Sequence, residues 1–93
     1  MVSKKQLNDW LNSNDLKVVA RGIRTVRKEI DEKEDSISTL TRAKAKVPLM
    51  YEDKDEIKAN NEDINALIER NEGLINNWLE PSLEKLYKHL DGL

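Results

Sequence analysis

The sequence predicts an all-α fold: a long antiparallel helical hairpin with a coiled-coil seam, closed into a small bundle by short N- and C-terminal helices. Three observations predict it. Apolar residues recur at alternating spacings of three and four from Leu16 to Val47 and again from Ile57 to Trp78, the period of helices that bury one stripe. Charged residues make up 37% of the chain, above the roughly 25% of ordinary soluble domains, as expected of helices with broad solvent-facing sides. Only four aromatics are present, with no Phe, so burial must come from Leu, Ile and Val arranged in stripes. At 93 residues the chain has room for one domain, residues 1–93, and a modest core.

The first helix is expected over about 3–12. Ser3 suits an N-cap and Gln6, three residues on, completes a capping box, while Leu7, Trp10 and Leu11 share a face. The polar run Asn12-Ser13-Asn14-Asp15 breaks it and offers a cap for the second helix, expected over about 15–46. With Leu16 at heptad position a, the a positions are Leu16, Ile23, Ile30, Ile37 and Lys44, and the d positions are Val19, Val26, Lys33, Leu40 and Val47. Eight of these ten are aliphatic. Gly22 and the stretch from Ser36 to Thr41 weaken the helix locally without stopping it.

Pro48 is expected to end this helix, because a proline lacks an N–H and disfavours the helical region in the residue before it, giving a turn over about Pro48–Glu52. Asp53 or Asp55 then caps a third helix, over about 54–79, with Asp55 and Glu56 at its positive end. Its seam runs Ile57, Asn60, Ile64, Leu67, Asn71, Leu74 and Trp78, widened on one side by Ile68, Ile75 and Leu79. Pro81 suits the first turn of a fourth helix over about 81–91, carrying Leu83, Leu86, Tyr87 and Leu90; a kinked continuation of the third helix is the alternative. No internal repeat or low-complexity segment appears.

Composition narrows the function classes. With no cysteine, disulfides, thiolate metal sites and cysteine nucleophiles are out, and with two lysines and polar residues near the start and no long apolar run, a cytoplasmic chain outside the membrane is expected. His89 is the only histidine and reads as a surface residue near a helix C-terminus. The three glycines stand apart, so no phosphate-binding loop forms, and the acidic segment from Glu52 to Asp63 lacks the ligand alternation and central glycine of a calcium loop. Acidic residues on open helix faces do not make the pKa-shifting pocket a catalytic pair needs. The expectation is a chain that is not an enzyme and takes no cofactor or metal.

Three constellations remain. Lys17, Arg21, Arg24 and Lys28, with Arg27 beside them, form a stripe opposite the seam, which Lys4 and Lys5 extend if the first helix packs nearby; it suits an acidic protein surface or nucleic-acid phosphates. Against nucleic acid, the face continues into Asp31 and Asp35 and carries no interleaved aromatics. Residues 1–28 hold seven basic and two acidic side chains, net +5, and residues 29–93 nine basic and sixteen acidic, net −7, so the molecule is electrically two-ended. At the hairpin turn, Leu49, Met50 and Tyr51 sit among Glu52, Asp53, Asp55 and Glu56, either capping the core or offering a partner an apolar anchor.

The polar seam residues Lys33, Lys44, Asn60 and Asn71 form the third, of the kind that sets register or oligomeric state. Pairing across the expected turn places Lys33 near Leu67 and Asn71 near Ile30, leaving these polar groups to water or to a second chain. The surplus stripe of Ile68, Ile75, Leu79, Leu83 and Leu86 is the expected surface of a homodimer. The chain is thus expected to be a protein-interaction module, a small inhibitor, adaptor or assembly factor, with nucleic-acid binding through the basic stripe as the alternative. In size and composition alone it is similar to small phage and plasmid accessory proteins and bacteriocin immunity proteins, and no motif carries residues across.

Overall fold

The computed structural model describes all residues, 1–93. Helix α1 spans Lys4–Leu11, α2 Leu16–Met50 and α3 Lys54–Leu74; one wide π-helical turn, Ile75–Leu79, then joins α3 to α4, Glu80–Asp91. α2 runs antiparallel to the near-continuous rod of α3 and α4, and α1 lies across the base of both. The molecule measures 59 × 16 × 16 Å, and its radius of gyration of 17.9 Å far exceeds the roughly 12 Å of a globular chain this long. It is a rod.

The helix starts follow the local chemistry of the chain. At α1 the Ser3 hydroxyl accepts from the Gln6 N–H at 3.1 Å, and the Ser3 N–H donates to Gln6 Oε1 at 3.0 Å. Asp15 Oδ1 accepts the Lys17 N–H at 2.9 Å, and Asp53 Oδ1 accepts the Asp55 N–H at 2.9 Å, each satisfying one of the unpaired donors of a helix N-terminus.

Of the two boundaries at prolines, one differs from expectation. α2 continues through Pro48 to Met50, closed by the Tyr51 N–H donating to the Val47 carbonyl at 3.2 Å. A proline here costs little, because the carbonyl left without its donor belongs to Lys44, an exposed residue whose backbone water can serve. The turn is therefore only Tyr51-Glu52-Asp53. At the other proline the expected fourth helix is present, with Pro81 in its first turn, and it follows the wide turn without a gap, the Glu80 N–H reaching back five residues to the Ile75 carbonyl. The wide turn immediately precedes α4, and its first and last residues, Ile75 and Leu79, both face the core, as residues four apart on a helix do.

The later end of α2 also shifts the pairing across the hairpin. Leu67 and Asn71 share one groove with Asp35, Ser36, Thr39 and Leu40, in place of the expected approach of Lys33 to Leu67 and of Asn71 to Ile30.

The core occupies one end. Val2, Leu7, Val19, Ile23, Val26, Ile75, Leu79 and Leu86 form a single buried cluster, with Trp10, Leu11, Ile30, Ile37, Trp78, Leu83 and Leu90 packed around it. Burying each such aliphatic side chain contributes about 1.5–3 kcal/mol. Polar ties hold the base together: the Trp78 indole N–H donates to the Val2 carbonyl at 2.9 Å, and the His89 ring, through Nε2–H, donates to the Ser13 carbonyl at 2.6 Å. The α-amino group of Met1 lies 3.4 Å from Glu29 Oε1. His89 is thus a half-buried strut between α4 and the turn after α1, where a surface residue was expected.

Candidate functional site: the distal hairpin

Beyond the base the rod is only two helices thick. From residue 27 to residue 74 Val47 alone is fully buried, and α3 contains no buried residue in its whole length. Ile30, Ile37, Leu40, Ile57, Ile64 and Ile68 are half-covered, so the aliphatic seam meets across α2 and α3 but stays open at its sides. Two facing helices cover only the centre of a seam; a third or fourth helix is needed to close the flanks.

On one side the opening is a shallow groove of roughly 420 Å³, lined by Asp35, Ser36, Thr39, Leu40, Leu67 and Asn71. The same side of α2 is filled at the base, where α1 lies against it so closely that a Cβ at Gly22 would stand 2.7 Å from Trp10 Cδ2. Met1, against Glu29, marks where that cover stops. From Glu32 onward, Ser36, Thr39, Ala43, Lys46 and Met50 repeat at spacings of four and three along the same side, and nothing of this chain lies on them.

The hairpin ends in exposed apolar residues. Leu49 is 86% and Met50 71% exposed, whereas Tyr51 is half-buried. Of the acids around the turn, Asp53 is engaged as the cap of α3, and Glu52, Asp55 and Glu56 face outward. Leu49 and Met50 therefore do not cap the core, and of the tip residues Tyr51 alone turns partly inward.

The basic stripe is where the heptad places it. Lys17, Arg21, Arg24, Arg27 and Lys28 are all exposed on α2, over the base, and none is held in an ion pair. Lys4 and Lys5 on α1 are exposed as well. The stripe and the tip lie at different ends of the rod.

The expected self-association stripe is corrected by the fold. Ile75, Leu79 and Leu86 belong to the core, and Leu83 packs against it, because α4 and the wide turn before it lie against α2, and α4 against α1 as well. Only Ile68 lies in the distal hairpin, half-covered. Among the polar seam residues, Lys44 is exposed, Lys33 half-covered, and Asn60 Nδ2 donates to the Glu56 carbonyl of its own helix at 2.8 Å. Asn71 lines the groove, and Asn61 keeps its Oδ1 covered and without a partner.

The groove was missed in the sequence, although the run Glu32, Ser36, Thr39, Ala43, Lys46 and Met50 is a second heptad series beside the seam. Small and charged residues carry little hydrophobic signal, so the series vanishes behind the aliphatic one. No helix of the structure is long and apolar enough to cross a membrane. No family model matches the chain, and neither curated proteins nor solved structures show a match to it.

Proposed function

We propose that the chain is a non-catalytic protein-interaction module, a small inhibitor, adaptor or assembly factor, whose base is a folded platform and whose distal hairpin meets other macromolecules. The observation that supports this reading is the contrast in burial along one rod: a closed core at the base, and beyond it two helices with an open groove and an exposed Leu49–Met50 tip. Leaving such a surface uncovered is unfavourable for a helix pair alone, since most helix stability in proteins comes from packing an apolar face. Apolar side chains projecting at the end of a stiff arm also suit anchoring in a partner's pocket, with Met adapting to an irregular one.

A photo-crosslinking residue placed at Leu49, and separately at Lys17, tests the reading in the cell that makes the protein. Macromolecular adducts should form at Leu49 and fall away when Met50 is replaced by Ala. Adducts confined to Lys17 would contradict it.

The exposed, unpaired basic stripe favours one second reading, nucleic-acid binding along the base of α2. Binding of a labelled random duplex or single strand would then weaken steeply with salt and be lost in Arg21→Glu/Arg24→Glu, whereas tip variants would leave it unchanged.

A further inference from the structure

We infer that the open groove of the distal hairpin takes a second copy of this chain, packed groove to groove and antiparallel about a two-fold axis through Thr39 and Leu67, with the two tips pointing in opposite directions. The inference rests on the reading of the distal hairpin as an interaction element and names its partner.

The placement of charge carries it. On α2, Asp35 stands four residues before Thr39 and Arg42 three residues after; on α3, Asp63 stands four residues before Leu67 and Arg70 three residues after. Thr39 and Leu67 line the same groove, so one axis perpendicular to the helices passes both. A two-fold axis sets each residue before it against the residue equally far after it on the other copy. Asp35 then meets Arg42 of the second copy, and Asp63 meets Arg70, each within one residue of register. Two helical turns out on α2 the match repeats, with Glu32 seven residues before Thr39 and Lys46 seven after. All six side chains are exposed, and none has an ion-pair partner within its own chain.

Length fits as well. Glu29 lies ten residues before Thr39 and Met50 eleven after, on the order of 15 Å in each direction at 1.5 Å per residue. Each tip therefore reaches the end of the other copy's groove, where Met1 sits against Glu29, and stops there. Met1 and Met50, both 71% exposed, would cover one another, and Leu67, 49% exposed, would meet its own symmetry mate. Exposed ion pairs are individually weak, so the charges set direction and register while Leu40, Leu67 and Met50 supply the burial. The basic stripe, Lys17 to Lys28, lies outside the overlap of the two copies.

The chain has no cysteine, which makes the test clean. Sedimentation equilibrium over a dilution series should show twice the 10.8 kDa chain mass. Glu32→Lys and Lys46→Glu should each weaken the dimer about tenfold, and mixing the two variants should restore it, because every facing pair in the mixed dimer is again of opposite sign. Arg21→Glu should leave the mass unchanged. Thr39→Cys and Leu67→Cys should each oxidise to a disulfide-linked dimer, whereas Arg21→Cys should not. A monomer at every concentration overturns the inference, as does a dimer in which both cysteine variants stay reduced. A monomer that still forms foreign adducts at Leu49 removes the second copy and leaves the interaction reading standing.

Discussion

Adding a single methyl group at each of two glycines separates the packed base from the open hairpin. Gly22 and Gly73 both sit within helices, where Gly→Ala alone stabilises by about 1 kcal/mol. At Gly73 the new Cβ would meet only Asn77 Nδ2, at 3.9 Å, so Gly73→Ala should gain that full amount. At Gly22 the Cβ would stand 2.7 and 2.8 Å from two atoms of the Trp10 indole. A ring already seated on the core cannot yield freely, and overpacking of this kind costs about 1–3 kcal/mol, which turns the helix gain into a net loss of about 1 kcal/mol.

For a chain of this length each kcal/mol moves the melting temperature by about 4–8 °C. Thermal unfolding followed by circular dichroism, at one fixed protein concentration, should therefore show Gly73→Ala above and Gly22→Ala below the parent. Repeating Gly22→Ala in a Trp10→Ala background should recover the stabilising sign, with a coupling of about 2 kcal/mol between the two sites. If Gly22→Ala raises the melting temperature as Gly73→Ala does, Trp10 does not lie on α2, and the docking of α1 described above is wrong.

Two further predictions follow from the same division of the rod. Leu79→Ala, at a fully buried position, should cost about 2–5 kcal/mol in urea unfolding, whereas Leu67→Ala at low protein concentration should cost less than about 1 kcal/mol; equal losses would mean the hairpin seam is as closed as the base. Deleting Asn76 should close the wide turn to an ordinary α turn, because a π turn is an α turn with one residue more, and so keep Leu86 and Ser82 on the core, whereas deleting Glu84 from the regular part of α4 should turn Leu86 about 100° away and cost several kcal/mol. Equal losses in the two deletions would show that the wide turn does not absorb an extra residue.

How much of this was legible in the sequence depends on which residues carried the information. The caps at Ser3, Asp15 and Asp53 act within three residues of themselves, so local chemistry announces them. The aliphatic seam of α2 is likewise a property of one helix. Pro48 was harder, because the effect of a proline depends on where the abandoned carbonyl points. At Lys44 it reaches water and the helix runs on, whereas Pro81 stands in the first turn of α4, where the local rule puts it. The surplus apolar side of α3 and α4 read as a dimer surface because nothing local reveals that α1 folds back against α4.

Of the site, the exposure of the basic stripe and of Leu49 and Met50 follows from heptad position and place in the turn. The groove did not, since its lining is made of Ser36, Thr39, Asn71 and Asp35 as much as of leucine. Its shape appears only once the register across the hairpin is fixed, and that register moved with the end of α2. The close approach of Trp10 to Gly22 is equally long-range, and it alone explains why the first half of that side is covered and the second half is not.

The central claim is that the distal hairpin, and not the base, is where this chain meets other molecules. Hydrogen exchange read by mass spectrometry at low and high protein concentration tests it most directly, because amides in a marginal helix pair open at small free energies and gain protection only when covered. The account predicts protection over residues 32–50 and 56–71 that rises with concentration, and exchange over residues 4–29 and 75–91 that stays constant. A concentration effect confined to the base, with the hairpin unchanged, would contradict it.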